Sequence, residues 1–140
     1  MKNIFIASLI LLSMLLCGCV IKFEDVSEEP EYSPLINTRY SLSTNMYIVG
    51  VNEAPGYGPE IDRYYIHHYK VSGPEIITED TLKQGVVLEI QSIDRSTISI
   101  PFEGKRIYAV VTAPSFKKTV DVPIIIDLKD LQSTNLVNKL

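Results

Sequence analysis

The sequence predicts an all-β domain, either a small barrel or a sandwich of about seven short strands. Apolar and polar residues alternate with a period of two along several segments, as they do in half-buried strands. Glycine and proline turn signals fall between these segments, where the chain must reverse direction. Only residues 79–84 and the tail after Lys129 have helical potential, and both are too short to form stable helices alone.

Seven segments carry the strand signal. In chain order they are residues 36–42, 46–51, 61–71, 86–93, 97–102, 106–112 and 119–128. The last segment has its apolar residues in phase on one face, namely Val120, Val122, Ile124, Ile126 and Leu128. Short strands at such close spacing are typical of sandwiches and barrels. We therefore expect one β domain over residues 36–128, followed by a C-terminal tail, 129–140.

The stretch from Leu82 to Ile90 resembles the entry to a central strand in bacterial SH3-like barrels. In those barrels a leucine, two polar residues and a glycine precede an alternating strand, and here Leu82 and Gly85 hold those positions before Val86. The resemblance covers nine residues and implies the small-barrel form of the all-β class.

The amino-terminal segment has the pattern of a secretion signal. Met1-Lys2-Asn3 gives a basic start, and an apolar run from Ile4 to Leu16 follows, broken only by Ser8 and Ser13. The run is shorter than the roughly 20 apolar residues that a membrane-spanning helix needs. We expect residues 1–18 to be a signal peptide that is removed. One alternative is an ordinary signal peptide that is cut near Gly18, in which case Cys17 and Cys19 have no role in processing.

The four residues Leu16-Cys17-Gly18-Cys19 resemble the lipobox of bacterial lipoproteins. In that family a dedicated peptidase cuts before the cysteine, diacylglycerol is joined to its thiol, and the new amino group is often acylated as well, for example with palmitate. The resemblance therefore implies lipidation at Cys19 and a membrane-attached, extracytoplasmic location. In Gram-negative lipoproteins Asp after the cysteine signals retention at the inner membrane. Here Val20 and Ile21 follow, which implies the outer membrane if the host is Gram-negative.

Processing at Cys19 also decides what the mature chain contains. Cys17 is lost and Cys19 is blocked by lipid, so we expect no disulfide, no cysteine nucleophile and no cysteine-based zinc site. Loss of Lys2 leaves 17 acidic and 12 basic residues, a net charge of −5 with no basic stripe, so nucleic acid is not an expected partner.

Residues 19–35 are acidic and contain two prolines, which predicts an extended tether. An acidic partner-binding segment is the alternative for that stretch.

No catalytic motif is present in the sequence. It has no Gly-x-Ser-x-Gly elbow, no His-Glu-x-x-His pair and no glycine-rich phosphate loop. His67 and His68 are the two imidazoles, and on a strand they would point to opposite faces, so they would not chelate one ion together. We expect no enzyme activity, no cofactor and no metal site.

The strongest local signal is a concentration of tyrosines. Four of the eight tyrosines lie between Tyr57 and Tyr69. On a strand, Tyr65, His67 and Tyr69 would share one face and Ile66 would face the core. The outer face would then present rings and Arg63, a composition typical of binding surfaces, and Tyr57 in the loop 54–59 could extend it. The alternative is that the tyrosines simply cover neighbouring strands.

The sequence therefore predicts a membrane-anchored, non-enzymatic module that binds another envelope protein. The predicted binding residues are Tyr57, Arg63, Tyr65, His67 and Tyr69. A small-ligand or cell-wall glycan or peptide binding domain is the second hypothesis. A deep pocket beside the tyrosine-rich strand would favour this second hypothesis, and a flat patch would favour the first. We also expect joint replacement of Tyr65 and Tyr69 by Ser to abolish binding with little loss of stability.

Overall fold

The structure is a computed structural model that describes residues 22–54, 56–97 and 105–140. Strands hold 43% of the described residues and helices 6%, which confirms the predicted all-β class. The strands are β1 (Phe23–Asp25), β2 (Arg39–Leu42), β3 (Met46–Val51), β4 (Arg63–His67), β5 (Ile76–Leu82), β6 (Val87–Ser96), β7 (Ile107–Thr112), β8 (Ile124–Asp127) and β9 (Val137–Lys139). A 3-10 helix covers Ser33–Leu35, and helix α1 covers Leu128–Leu131.

The nine described strands form a single sheet. Their order is β5-β3-β4-β8-β7-β6-β2-β9, and β1 pairs with β6 beside that path. The β4–β8 pair is parallel and every other pair is antiparallel. The sheet is not closed, so β5 and β9 form its two edges among the described residues, and the SH3-like barrel form is not what this part of the chain adopts.

Strand β6 connects the two halves of the sheet. Its first part pairs with β2, from Arg39 opposite Glu89, and its last part pairs with β1, from Phe23 opposite Ser96. The register against β7 shifts between Ile90 and Ser92. A bulge of this kind bends a strand and increases its twist. One long strand can therefore serve two partners on the same side.

The core lies on one face of this curved sheet, as the alternation predicts. In β4, Tyr64 and Ile66 are buried, while Arg63, Tyr65 and His67 are only partly buried. The same face collects large side chains from the other strands, among them Leu42, Met46, Ile48, Leu88, Ile90, Ile93 and Ile126. Burial of this apolar surface is the main stabilising term, at about 25 cal/mol per Å². The predicted orientation of the tyrosine-rich strand is therefore correct.

The prediction of an extended tether over residues 19–35 is wrong for the part that the structure describes. Residues 23–25 form β1, and the side chains of Val26 and Tyr32 are only 3% and 7% exposed. Glu29 forms an ion pair of 2.7 Å with Arg95 on β6. Glu24 also lies 3.8 Å from Arg95, so two of the acidic side chains are attached to the sheet and the segment is not an extended linker. The folded domain begins at Phe23, not at residue 36.

Other predictions differ from the structure at the edge strand β5 and near the C-terminus. Residues 79–84 were expected to have helical potential, but Ile76–Leu82 is strand β5, because pairing with β3 outweighs the weak local preference. The tail 129–140 is part of the fold, since α1 begins at Leu128 and β9 pairs with β2. The predicted strand 119–128 shortens to Ile124–Asp127. Of the predicted strand 97–102, residues 98–102 lie outside the described residues, as does the signal peptide.

Gly50 is required by close packing of β3 against both neighbours. It pairs with Tyr64 on β4 and with Thr78 on β5. A Cβ at this position would lie 2.6 Å from Thr78 Oγ1 and 2.9 Å from Ile61 Cδ1. We expect Gly50→Ala to lower the free energy of unfolding by about 1 to 3 kcal/mol, because the added methyl overpacks the core. Urea denaturation measures this loss.

Gly58→Ala is the matched control for Gly50→Ala. A Cβ at Gly58 would lie no nearer than 3.8 Å to its closest neighbour, the Asn52 side chain. We expect its free energy of unfolding to stay within about 0.5 kcal/mol of the original chain. Equal losses in the two variants would contradict the packing argument.

Candidate functional site

A groove of about 650 Å³ opens at the end of the sheet where β4 and β8 finish and β7 begins. Because β4 and β8 are parallel and β7 runs against β8, these three strand ends meet at one place. We call it the aromatic groove. Its ring-bearing residues are Tyr32, Tyr65, His67, His68, Tyr69 and Tyr108. Its charged residues are Glu31, Lys105, Arg106, Asp127, Lys129 and Asp130.

The rings of the aromatic groove form a continuous series. Tyr65 and His67 are stacked, with centroids 6.1 Å apart and an interplanar angle of 3°. Tyr108 meets Tyr65 edge-on at 6.2 Å, and Tyr69 lies 5.4 Å from His67. Each of these rings contacts another, and at the outer end Tyr69 contacts His67 and His68 but is still 52% exposed. The groove offers an aromatic wall that is already ordered and an exposed ring at its rim.

Tyr65 holds this wall to the rest of the domain. Its hydroxyl donates a hydrogen bond to the Glu53 carboxylate, which also accepts from Arg63 Nε at 3.3 Å. Burial, and then the hydrogen bond to Glu53, raise the pKa of Tyr65 well above its usual range, so the hydroxyl stays a donor. The Arg63 guanidinium lies 4.2 Å above the Phe23 ring. Tyr65 is therefore a supporting residue of the groove, not a free surface ring.

These contacts contradict one prediction, and they place the five predicted binding residues in more than one part of the domain. The expectation that Tyr65 and Tyr69 can be lost together at little cost in stability is at odds with the contacts of Tyr65. The structure brings together Tyr65, His67 and Tyr69 in the aromatic groove. Arg63 instead contacts Glu53 and Phe23, and Tyr57 is not among the groove residues.

The two histidines both border the groove, for a reason that alternation alone does not give. Strand β4 ends at His67, so His68 is outside the strand and is not held to the opposite face. Burial lowers the pKa of His67, with the charge of Asp130 opposing that effect, so its imidazole is neutral at neutral pH. His68 Nδ1 lies 3.1 Å from Asp130 Oδ2. The groove therefore contains a neutral imidazole that can both donate and accept a hydrogen bond.

The charges of the aromatic groove balance at neutral pH. Lys105, Arg106 and Lys129 face an equal number of acidic residues, Glu31, Asp127 and Asp130. A site with both signs presents no strong field of one sign and does not select a highly charged ligand. Across the described residues, no group of three or more His, Cys, Asp or Glu side chains is arranged to hold a metal ion.

Sequence reasoning missed the groove residues that come from β7 and β8. Tyr108 comes from β7, and Asp127 opposite it comes from the end of β8. Each is a polar or aromatic residue in an otherwise apolar strand, and this departure from the apolar pattern could have identified both residues. Asn52 was also missed, although it is buried, with 4% of its surface exposed.

Asn52 organises the loop that follows β3. Its Nδ2 donates to the Glu60 carbonyl at 2.8 Å, and its Oδ1 accepts from the backbone N–H of Gly58 at 2.9 Å and of Ala54 at 3.2 Å. This loop carries Tyr57, at φ +49°, after Gly56 at φ +92°. Pro55 lies outside the described residues. One side chain thus replaces the regular backbone pairing that the loop lacks.

Asn52→Ala should lower the free energy of unfolding by about 1 to 3 kcal/mol, because it leaves buried loop groups without partners. Hydrogen exchange should show the largest loss of protection at Ala54 and Gly58, whose N–H groups donate to Asn52. Asn45→Ala is a control, since exposed Asn45 accepts one hydrogen bond, from the Gln84 N–H. A smaller loss at Asn52 than at Asn45 would contradict this role.

Helix α1 has four residues, and no helix in the described ranges has both the length and the apolar character needed to cross a bilayer. Comparisons with protein-family models, with curated proteins and with solved structures found no match to this chain.

Proposed function

We propose that the mature chain is a lipid-anchored, non-enzymatic module of the cell envelope whose aromatic groove binds a segment of another envelope protein. The observation that carries this proposal is the ordered series of rings from Tyr108 through Tyr65 and His67 to the exposed Tyr69. Tyrosine supplies a large contact area and loses little conformational entropy on binding, which is why it dominates many binding surfaces.

The aromatic groove is concave and is not the flat patch expected for a docking protein, so a protein partner would have to insert a segment into it. Its volume of about 650 Å³ lies within the range of ligand pockets, roughly 300 to 1,000 Å³. A peptide could place an apolar or aromatic side chain against the ring series and pair its polar groups with Lys129 or Asp130 at the rim. Because the groove has charges of both signs, such a segment would be mixed in charge.

The anchoring part of the proposal is supported by the sequence. The lipobox pattern at Leu16-Cys17-Gly18-Cys19 follows an apolar run of signal-peptide length. Two or more acyl chains give stable attachment, whereas one chain alone binds a bilayer only marginally. We therefore propose an extracytoplasmic location at a membrane, the outer membrane in a Gram-negative host.

The groove can be tested with two tyrosines of equal exposure. The side chains of Tyr69 and Tyr57 are 52% and 51% exposed, but only Tyr69 lines the groove. The acylated protein is purified from native membranes, and the proteins that co-purify are identified by mass spectrometry. We expect Tyr69→Ser to lose a partner that Tyr57→Ser retains. Loss with Tyr57→Ser alone would move the site to the 52–60 loop.

A cell-wall glycan or peptide is the second candidate ligand, and the concave form of the groove favours it. An exposed ring such as Tyr69 can stack on a neutral sugar, and the balanced charges of the groove suit an uncharged ligand. Co-sedimentation of the unlipidated domain with insoluble cell-wall material tests this candidate. Sedimentation that Tyr69→Ser abolishes, without any protein partner in the pull-down, would replace the first proposal by the second.

A further inference from the structure

The folded state of residues 22–35 limits how far the domain can stand from its anchor. A tether running from Cys19 to residue 35 could extend to nearly 60 Å, at up to about 3.6 Å per residue. Because Lys22 is already attached to the sheet, three residues remain between the proposed lipid and the fold. They span at most about 11 Å. The domain is therefore held close to the membrane that carries the lipid.

Backbone contacts identify the end of the domain that this short connection reaches. The Lys22 carbonyl accepts hydrogen bonds from Thr97 N at 2.8 Å and from Thr97 Oγ1 at 2.9 Å. Beside it, Ser96 N donates to the Arg106 carbonyl at 2.8 Å. The start of β1, the end of β6 and the start of β7 therefore lie together. This is also the end at which the aromatic groove opens, since Lys105 and Arg106 line it.

Two exposed lysines at this end can contact an anionic surface, and one of them, Lys22, lies outside the balanced charges of the groove. Lys22 and Lys105 are exposed, and Arg106 is partly exposed between them and the groove. Two acids at this end, Glu24 and Glu29, pair with Arg95 at 3.8 Å and 2.7 Å, so the charge of Arg95 offsets part of theirs. At a stand-off near the Debye length of about 8 Å, basic side chains still experience the field of anionic headgroups.

We propose that the end of the domain carrying the exposed Lys22 and Lys105 rests on the anionic headgroup layer of the membrane that holds the Cys19 lipid, so that the aromatic groove opens at the membrane surface. The proposal rests on lipidation of Cys19, which is part of the proposed function. Its consequence is that the partner of the groove must present its segment within the headgroup region.

Two glutamates form a matched pair of reporter positions. Glu24 lies 3.8 Å from Arg95 at the membrane end, and Glu89 lies 3.9 Å from Arg39. Since Glu24 is opposite Arg95 in the register, and Arg95 comes six positions after Glu89 in β6, the two labels are about 20 Å apart along the strand. The processed chain has no other free thiol, because Cys17 is removed and Cys19 is blocked. Glu24→Cys and Glu89→Cys can each be labelled with a fluorophore at one site.

The lipidated variants are placed in vesicles of phosphatidylglycerol and phosphatidylcholine that contain a headgroup nitroxide lipid. We expect several-fold stronger quenching of the label at position 24 than at position 89. Lys105→Gln should reduce the excess quenching seen in anionic over phosphatidylcholine-only vesicles, and Lys83→Gln, in the turn that precedes β6, should not. Equal quenching at both positions, or stronger quenching at 89, overturns the orientation. Equal effects of the two lysine variants overturn the role of the basic residues.

Mass spectrometry of the same samples separates this proposal from the one on which it rests. A chain without lipid on Cys19 overturns the anchor and the orientation together. A lipidated chain with the wrong quenching pattern overturns the orientation alone, and the groove pull-down with the acylated protein is independent of that orientation.

Discussion

Tyr65→Ser is expected to lower the free energy of unfolding by about 2 to 4 kcal/mol, and Tyr69→Ser by less than about 0.5 kcal/mol. Tyr65 packs on His67 and Tyr108, and its hydroxyl donates to Glu53. Its removal leaves a cavity beside the groove and a carboxylate with one partner fewer. Tyr69 is more than half exposed, so little packing is lost. Urea denaturation of the two variants gives the difference directly.

Tyr65→Phe serves as the control that separates packing from hydrogen bonding. It keeps the ring and removes only the bond to Glu53, which retains its contact with Arg63 at 3.3 Å. We expect a loss of about 1.5 to 3 kcal/mol for this variant, the usual net value of a hydrogen bond to a charged group. If Tyr65→Ser and Tyr69→Ser destabilise the chain equally, Tyr65 is a surface ring and its supporting role is wrong.

Cys19→Ser is expected to remove nearly all of the chain from the membrane fraction, or to leave it as an unprocessed precursor, because the thiol is the proposed lipid acceptor. Each buried CH₂ of an acyl chain contributes about 0.8 kcal/mol to membrane binding, so loss of two acyl chains removes most of the free energy of membrane binding. Membrane fractionation and the intact mass of the product measure the effect. Cys17→Ala is the matched control and should leave lipidation intact, since Ala also suits that position.

A Cys19→Ser chain that still sediments with membranes and is cut before residue 19 would contradict the lipoprotein assignment. Membrane attachment would then have to come from the folded domain itself.

Local periodicity was sufficient to predict the strands that have one buried face. In β4, the alternation of Tyr64 and Ile66 with Tyr65 and His67 fixed which side chains face the core. It failed for β5, because an edge strand exposes charged residues such as Glu79 and Asp80 and has little apolar signal. Its pairing with β3 is a tertiary effect.

The prediction of an extended tether over residues 19–35 is wrong for a related reason. Glu24 and Glu29 look like residues of a solvated linker until Arg95, some seventy positions later in the chain, is placed beside them. No local pattern encodes that pairing. The site was predictable only in part. The alternation in β4 predicts that Tyr65 and His67 share a face. Tyr108 and Asp130 lie beside them because of the order of β4, β8 and β7 in the sheet and the position of α1, which no local pattern encodes.

Site-specific photo-crosslinking in living cells tests the central claim, that the aromatic groove is the binding site, most directly. A benzophenone amino acid replaces Tyr69 in one strain and Tyr57 in another, so that two equally exposed positions are compared. After irradiation, the membranes are analysed for covalent adducts of the chain. We predict a discrete adduct from position 69 and none from position 57. An adduct from position 57 alone, or identical adducts from both, would contradict the groove as the binding site.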